Sequence, residues 1–210
     1  RSSDLKTFKE GKKPTLLFHV CCGPCSCYPL LFLAKHFDIT IYYNNSNIYP
    51  AEEFAHRESE LERLLANLEK DEGIKVRLLV PPYDNEAYNL DLEPYAEEKE
   101  RGARCKVCYQ KRMAEAFDYA DEHGFDYFTT VMTISRQKSS PILNAIGRLL
   151  EESKPHKAKY LYSDFKKDDG ILKGKAIREK YGLYNQDYCG CLYSYREKER
   201  RAVAEKEGKK

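Results

Sequence analysis

The hydrophobic positions of this chain alternate between two spacings. Short apolar runs, typical of buried strands, are separated by longer segments that have an apolar residue every three or four positions. The runs predict strands over residues 15–20, 39–43, 76–80, 127–131 and 160–162. The longer segments predict helices over residues 29–36, 50–72, 105–123, 140–150 and 172–181, mixed helical material over 84–102, and a charged final helix over about 193–208.

The clearest predicted helix begins near Pro50. Proline suits a first helical turn, Glu52 and Glu53 interact favourably with the positive end of the helix dipole, and Gly73 follows the end. Its spacing predicts an apolar stripe formed by Phe54, Leu61, Leu64, Leu65 and Leu68.

Strands that alternate with helices predict an α/β fold with a mostly parallel sheet flanked by helices. The length of 210 residues suits one domain. Ligands of open α/β sheets bind beyond the carboxyl ends of the strands. We therefore expect one crevice to be lined by the cysteines after the first strand, by residues 44–47 after the second, and by residues 129–138 after a later strand.

The chain has eight cysteines in three groups, with long stretches free of cysteine between them. Thiolates are preferred ligands of iron–sulfur clusters and structural zinc, and eight exceed what one four-ligand site uses. We therefore expect the fold to gather them around metal, and more than one metal. The groups are Cys21, Cys22, Cys25 and Cys27, then Cys105 and Cys108, then Cys189 and Cys191.

Disulfide bonds are another use for so many cysteines. The segment before the first strand is polar and basic, and the apolar run at residues 16–20 is too short for a signal peptide or a membrane span. A chain of 210 residues can also build a core without covalent cross-links. We therefore expect a cytoplasmic protein with no membrane association, in which a redox metal cluster is favoured over structural zinc and over disulfides.

The spacing within the later groups bears on how many metals they serve. Cys105 and Cys108 open a predicted helix, so their sulfurs can reach one cluster. Cys189 and Cys191 are separated by a single residue, so we expect their sulfurs to point apart, toward two different metals. Asp187 is either an oxygen ligand or proton donor beside them, or a turn residue.

Charge is unevenly distributed although the formal net charge is only +2. Acidic residues outnumber basic ones 15 to 6 over residues 51–100, whereas basic residues lead 12 to 6 over residues 136–180. The basic half is either a surface for a polyanion or an ordinary solvated surface.

Five stretches, in order and spanning nearly the whole chain, carry a more specific signal. They are HVCCGPCS at residues 19–26, YNNSNIYPAEEF at 43–54 with Arg57, residues 105–112, residues 165–170, and YNQDYCGC at 184–191. In these motifs the chain resembles the QueH family of epoxyqueuosine reductases. The resemblance implies a Rossmann-like fold related to the adenine-nucleotide α-hydrolase group.

The resemblance also implies a reaction and its cofactors. QueH proteins perform the last step of queuosine synthesis, the reduction of the epoxide of epoxyqueuosine in the wobble nucleoside of the tRNA anticodon loop, without cobalamin. A 4Fe–4S cluster with an additional mononuclear iron is implied. Cys27 lies where the family often lacks cysteine, so a buried thiol without a ligand role is expected. The implied ligands are Cys21, Cys22, Cys25, Cys105, Cys108, Cys189 and Cys191, with Asp187 as the oxygen ligand.

Removal of an epoxide oxygen to leave an alkene needs two electrons and protons, with loss of water. Side chains cannot supply the electrons, so an external electron donor must do so through the cluster, while an iron with an open position polarises the C–O bond. The proton is expected from Asp187, Tyr188 or Tyr43. The tRNA phosphates are expected to contact Arg136, Lys138, Lys166, Lys167, Lys173 and Lys175.

Three other classes remain open as alternatives. A related ATP-using, iron–sulfur tRNA-thiolating enzyme needs a Gly-rich phosphate loop after the first strand, where this chain reads CCGPCS, so no ATP site is expected. The Cys-Gly-Pro-Cys of residues 22–25 matches a thioredoxin-like dithiol oxidoreductase, but that class leaves the other cysteine groups unexplained. A non-catalytic zinc module that binds RNA is the third.

Overall fold

The computed structural model describes residues 13–153, 155 and 157–207, and these contain a five-stranded sheet in which all strands are parallel. The order across the sheet is β3-β2-β1-β4-β5. Each strand overlaps a predicted one, so the α/β prediction with a parallel sheet is confirmed. In chain order the strands are β1 (Thr15–His19), β2 (Asp38–Tyr42), β3 (Arg77–Leu79), β4 (Tyr127–Thr130) and β5 (Lys159–Tyr160).

Helices connect the strands and cover both faces of the sheet. Residue 208, the predicted end of the last helix, lies outside the described residues. Among the residues that the structure describes, no helix combines the length and the apolar composition needed to cross a bilayer. The helices are α1 (Gly23–Leu33), α2 (Ala51–Glu72), α3 (Asn85–Leu90), α4 (Ala103–Glu122), α5 (Ser140–Ser153), α6 (Gly170–Lys180) and α7 (Leu192–Glu207).

The first helix begins earlier than the predicted range of residues 29–36. It starts at Gly23, directly after the first cysteines, because Pro24 suits the first helical turn, where a backbone N–H has no partner in the helix. Pro29 lies inside the helix and not at its start. Gly23 also lets α1 approach α2 closely, since a Cβ there would lie 2.9 Å from the carbonyl oxygen of Glu60.

The central strand β1 is buried on both faces. Successive side chains of a strand point to opposite faces, so Leu16 and Phe18 pack toward α1 and α2, while Leu17 packs toward α4 and α5. Of the predicted α2 stripe, Phe54, Leu61, Leu64 and Leu68 are buried, as expected, and Leu65 is half-buried.

The strand order decides where a ligand can bind. It matches five strands of the doubly wound arrangement, in which the chain changes direction between β1 and β4. At such a point the connections leave on opposite faces of the sheet, so a crevice opens beyond the carboxyl ends of these strands. The first cysteine group follows β1, so the architecture places it at this crevice.

Two helical glycines give a matched test of packing. A Cβ on Gly147 in α5 would lie 2.3 Å from the Tyr160 ring, whereas a Cβ on Gly174 in α6 would have its nearest neighbour at 3.8 Å. We expect Gly147→Ala to lower the free energy of unfolding by about 1–3 kcal/mol through overpacking. Gly174→Ala should raise it by up to about 1 kcal/mol, because alanine favours helix. Urea denaturation checks both, and equal effects would contradict the packing.

Candidate metal centre

The first cysteine group lies in the turn between the central strand and its helix. β1 ends at His19 and α1 begins at Gly23, so Cys21 and Cys22 occupy the turn and Cys25 lies in the first turn of the helix. The three sulfur atoms all lie within 4.8 Å of one another. In the described part of the chain, no other three Cys, His, Asp or Glu side chains gather as closely. These three thiols are therefore close enough together to bind one metal ion.

The protonation of the three thiols is coupled through their contacts. Hydrogen bonds from Cys22 and Cys25 hold the pKa of Cys21 well below its usual range. The same contacts with Cys21 raise the pKa of Cys22 to about 12 and raise that of Cys25 as well. A metal ion would displace the remaining protons, since thiols bind metal as thiolates.

The second cysteine group opens α4, as predicted. Cys105 accepts a hydrogen bond from the backbone N–H of Arg101 at 3.2 Å, and Cys108 accepts one from the Tyr88 hydroxyl at 3.2 Å. Burial raises the pKa of both thiols. Both also interact electrostatically with Cys189, so the fold brings the second and third groups near each other.

The prediction that the sulfurs of the third group point apart is wrong. Cys189 and Cys191 share a hydrogen bond that lowers the pKa of Cys189 and raises that of Cys191. Gly190 allows this because its φ of 108° turns the chain through a region that favours glycine. The backbone N–H of Tyr49 donates to the Gly190 carbonyl at 2.7 Å, and Ile48 bridges to Cys191, so this loop is anchored to residues after β2.

A cavity of about 710 Å³ joins the first and third groups, with Cys21, Cys25 and Cys189 in its wall. The crevice expected at the strand ends therefore exists. Gln186, which the sequence analysis did not single out, donates from its amide nitrogen to the Cys22 sulfur at 3.0 Å. The rest of the wall includes Arg57, Arg101, Tyr109, Ser135, Lys138, Asp187, Tyr188 and Lys198.

Arg57 is a second contributor, named in the sequence analysis within a family motif but given no role at the site. Its buried guanidinium donates to Glu53 at 2.7 Å and to the carbonyl oxygens of Cys189 at 3.2 Å and Tyr188 at 3.3 Å. It also interacts electrostatically with Cys22. A signal was present, because Arg57 falls between apolar members of the α2 stripe at helical spacing.

Arg112 is the third contributor to the site that was not predicted, and its contacts explain why polar residues follow β2. It is buried on α4, donates to the Asn45 side-chain oxygen at 2.5 Å, and interacts electrostatically with Cys108 and Cys21. Asn44 donates to the Arg112 carbonyl at 3.0 Å. Residues 44–47 therefore brace the site from within the fold and do not line the cavity.

The three predicted proton donors occupy different places. Asp187 lies in the cavity wall, but its carboxylate pairs with Lys198 at 2.8 Å, and their hydrogen bond lowers the pKa of Asp187. Tyr188 is also in the wall, with its hydroxyl donating to the Tyr49 carbonyl at 2.6 Å. Tyr43 is fully buried and its hydroxyl donates to the Phe54 carbonyl at 3.1 Å.

The six predicted phosphate-binding residues occupy three kinds of place. Arg136, Lys167, Lys173 and Lys175 are exposed. Lys166 is half-buried and donates to the Thr133 carbonyl at 2.7 Å, so it supports a loop. Lys138 lies in the cavity wall, where its charge interacts with Cys189 and Cys21.

Comparisons with known proteins agree with the motifs. A family model described as "Epoxyqueuosine reductase QueH" matches residues 16–197. A protein of that name from Streptococcus pyogenes is 39% identical over 186 residues, covering 89% of this chain and 72% of its own length. One from Staphylococcus aureus is 35% identical over 188 residues, covering 89% and 78%.

A solved structure titled "The crystal structure of predicted subunit of tRNA methyltransferase from Methanocaldococcus jannaschii" is a more distant match. Its TM-score is 0.45 at 13% identity, and the match covers 80% of this chain and 89% of that one.

The fold and the gathered thiols define a class of α/β proteins that can bind metal through cysteine. Within that class the family matches are decisive, because they span most of the chain. The chain belongs to the QueH family of epoxyqueuosine reductases, and it is an oxidoreductase. This membership sets aside the thiolating enzyme, the dithiol oxidoreductase and the zinc RNA-binding module.

Proposed function

We propose that this chain reduces the epoxide of epoxyqueuosine in the wobble nucleoside of tRNA to give queuosine. We propose that it does so in the cytoplasm, as a single domain, with a 4Fe–4S cluster and an additional iron, and without cobalamin or ATP. The observation that carries this proposal is that thiols of the first and third groups line one cavity, while the second group interacts electrostatically with Cys189, in a chain of this family.

The donor set fits such a cofactor. Soft thiolates are the ligands that iron–sulfur clusters take, and three sulfurs already lie within 4.8 Å of one another. Arg57, Arg112 and Lys138 place positive charge beside the thiols, which offsets the negative charge of several thiolates. The residues that would hold the metal are Cys21, Cys22, Cys25, Cys105, Cys108, Cys189 and Cys191, with Asp187 as the proposed oxygen ligand.

The protein's own residues bind the substrate and handle its protons. When bound, the cofactor supplies single electrons from an external donor and a Lewis-acidic iron. The cavity volume of about 710 Å³ lies in the range that encloses one modified nucleoside. Tyr188 and Tyr109 offer aromatic surfaces in the wall for a base that leaves its stack.

The exposed cations of the basic half are proposed to contact the tRNA backbone. These are Arg136, Lys167, Lys173 and Lys175. Each phosphate contact releases a counterion, so binding weakens with added salt.

Removing one such contact should change the salt dependence measurably. We expect Lys167→Met to reduce the slope of log affinity against log salt concentration by about 0.7 to 1. Lys35→Met is a matched control, because Lys35 is exposed between α1 and β2, at the amino end of a strand. Fluorescence anisotropy with tRNA over a salt series measures both slopes, and equal slopes would place Lys167 outside the interface.

The function is tested with anaerobically purified protein. Iron and acid-labile sulfide are counted, and the protein is incubated with a chemical reductant and tRNA that carries epoxyqueuosine. Nucleoside mass spectrometry should show epoxyqueuosine converted to queuosine, with one oxygen atom lost per nucleoside. A protein that holds iron and sulfide yet leaves the epoxide intact, or one that lacks sulfide, would overturn the proposal.

A further inference from the structure

The loop after β4 carries one lysine into the cavity and holds its backbone in place. The chain leaves β4 at Thr130, and the backbone N–H of Lys138 donates to the Ser135 carbonyl at 3.2 Å. The Lys166 ammonium donates to the Lys138 carbonyl at 3.3 Å and to the Thr133 carbonyl at 2.7 Å. Lys138 is therefore positioned by the fold and does not depend on a mobile surface loop.

The ammonium of Lys138 stands beside the metal-binding thiols. It shares the cavity wall with Cys21, Cys25 and Cys189. A lysine side chain is a cation at neutral pH, and this one faces the same cavity as sulfurs that bind metal as thiolates. A cation at this place contacts whatever enters the cavity next to the metal.

The Lys138 ammonium is also uncommitted. Between residues 13 and 207, as far as the structure describes them, its side chain makes no hydrogen bond or ion pair with a protein acceptor. The ammonium groups of other lysines have protein partners. Lys166 donates to loop carbonyls, Lys173 donates to the Asp168 carbonyl at 2.5 Å, and Lys198 pairs with Asp187.

The three residues that the sequence offered as proton donors are less suited. The hydroxyls of Tyr43 and Tyr188 already donate to backbone carbonyls. Both carboxylate oxygens of Asp187 are engaged by the Lys198 ammonium, at 2.9 and 2.8 Å. Lys138 in contrast offers three N–H donors to the cavity.

We propose that Lys138 is a catalytic residue, whose ammonium hydrogen-bonds the epoxide oxygen of the substrate and gives it a proton as the first C–O bond breaks. This inference rests on the proposed function. In the whole reaction both C–O bonds break, a C=C bond forms, and the oxygen leaves as water. Two electrons come from an external one-electron reductant, one proton comes from Lys138, and the second comes from solvent.

Lysine suits this step for a chemical reason. The oxygen of an opening epoxide becomes an alkoxide, which is far more basic than an amine, so the proton moves downhill from the ammonium. A positioned general acid contributes roughly 10²–10⁴-fold to a rate. Until the bond breaks, the same cation binds the ring oxygen and favours a substrate that carries the epoxide over a product that lacks it.

Lys138→Met tests the role, because methionine is also unbranched and has no charge. We expect kcat to fall by roughly 10²–10⁴-fold, with a smaller change in KM and with iron, sulfide and cluster EPR signal as in the parent. Binding gives a readout that needs no turnover: the parent should prefer epoxyqueuosine tRNA over queuosine tRNA, and the variant should lose this preference. Lys138→Arg should restore part of the preference.

Two other variants make the test specific. Lys35→Met, at the amino end of β2 and so at the opposite end of the strands from the cavity, should behave like the parent in every assay. Tyr109→Phe removes a hydroxyl of the wall that interacts electrostatically with Lys138, and it should change kcat by less than Lys138→Met does.

Four outcomes would overturn the inference. They are parental kcat in Lys138→Met, loss of iron in that variant, an unchanged tRNA preference, or a larger kcat loss in Tyr109→Phe. A parent enzyme that holds its cluster but does not reduce the tRNA overturns the proposed function, and the Lys138 role with it. The parent and variant assays therefore separate the two failures.

Discussion

Replacing Cys25 with alanine is expected to remove the metal from the protein and abolish the reduction. Cys25 belongs to the group of three sulfurs within 4.8 Å of one another and also faces the cavity. Loss of an outer partner of a ligand costs roughly 10–100-fold in metal affinity or activity, and loss of a ligand should cost more. Iron and sulfide counts after anaerobic purification, together with the visible absorbance, measure the effect.

Cys27 is the matched control, two residues further along the same helix. As expected, it is a buried thiol in the hydrophobic core, where it donates to the Gly23 carbonyl at 3.5 Å and burial raises its pKa to about 12. Cys27→Ala should keep the iron and lower the free energy of unfolding by only about 1–2 kcal/mol. If Cys25→Ala kept its iron, or Cys27→Ala lost it, the ligand assignment would be wrong.

Replacing Arg57 with methionine is expected to have the largest effect on folding. The guanidinium is 2% exposed, and its loss would leave the carbonyls of Tyr188 and Cys189 without this donor and Glu53 with only the Tyr184 hydroxyl. Breaking a buried pair by removing one partner costs about 3–5 kcal/mol, which is a large share of a domain's stability. Urea denaturation should show this loss, and the iron content should fall because the loop of the third cysteine group loses its support.

Two comparisons show whether geometry or charge causes that loss. Arg57→Lys keeps the charge but cannot reach two carbonyls and a carboxylate with one ammonium, so it should recover only part of the stability. Lys75→Met removes an ion pair with Glu69 in which the lysine is 82% exposed, and it should cost at most about 1 kcal/mol. If Arg57→Met unfolded at the same urea concentration as Lys75→Met, Arg57 would not be a brace.

Most of the fold could be predicted because each element carries a local signal. The structure agrees with the predicted apolar stripe of α2, with the predicted end of α2 at Gly73 and with the apolar run predicted as β1. These features could be predicted because apolar spacing and helix ends depend on neighbouring residues. The start of α1 was missed because Pro29 looks like a helix start, whereas the packing of Gly23 against α2 stabilises an earlier one.

The candidate site could be predicted in kind but not in arrangement. Cysteine groups at strand ends predict a metal site in a crevice, and the structure has a cavity at that place with three of the cysteines in its wall. The prediction that the sulfurs of Cys189 and Cys191 point apart was wrong. The backbone turn at Gly190, and the contacts of this turn with the loop after β2, hold the two sulfurs together. Arg112 was missed because its acceptor, Asn45, is distant in sequence.

The amino-acid sequence by itself determined the parallel α/β fold, the family and the thiol chemistry, because periodicity, motif order and residue type are all local properties of the chain. Only the tertiary structure decided which charges meet those thiols. In the sequence, Lys138 resembles any surface lysine. Its charge lies in the cavity because β4 pairs with β1, which places the loop after β4 beside the first cysteine group. Electrostatic interaction depends on distance in space, and distance between remote segments is set by packing.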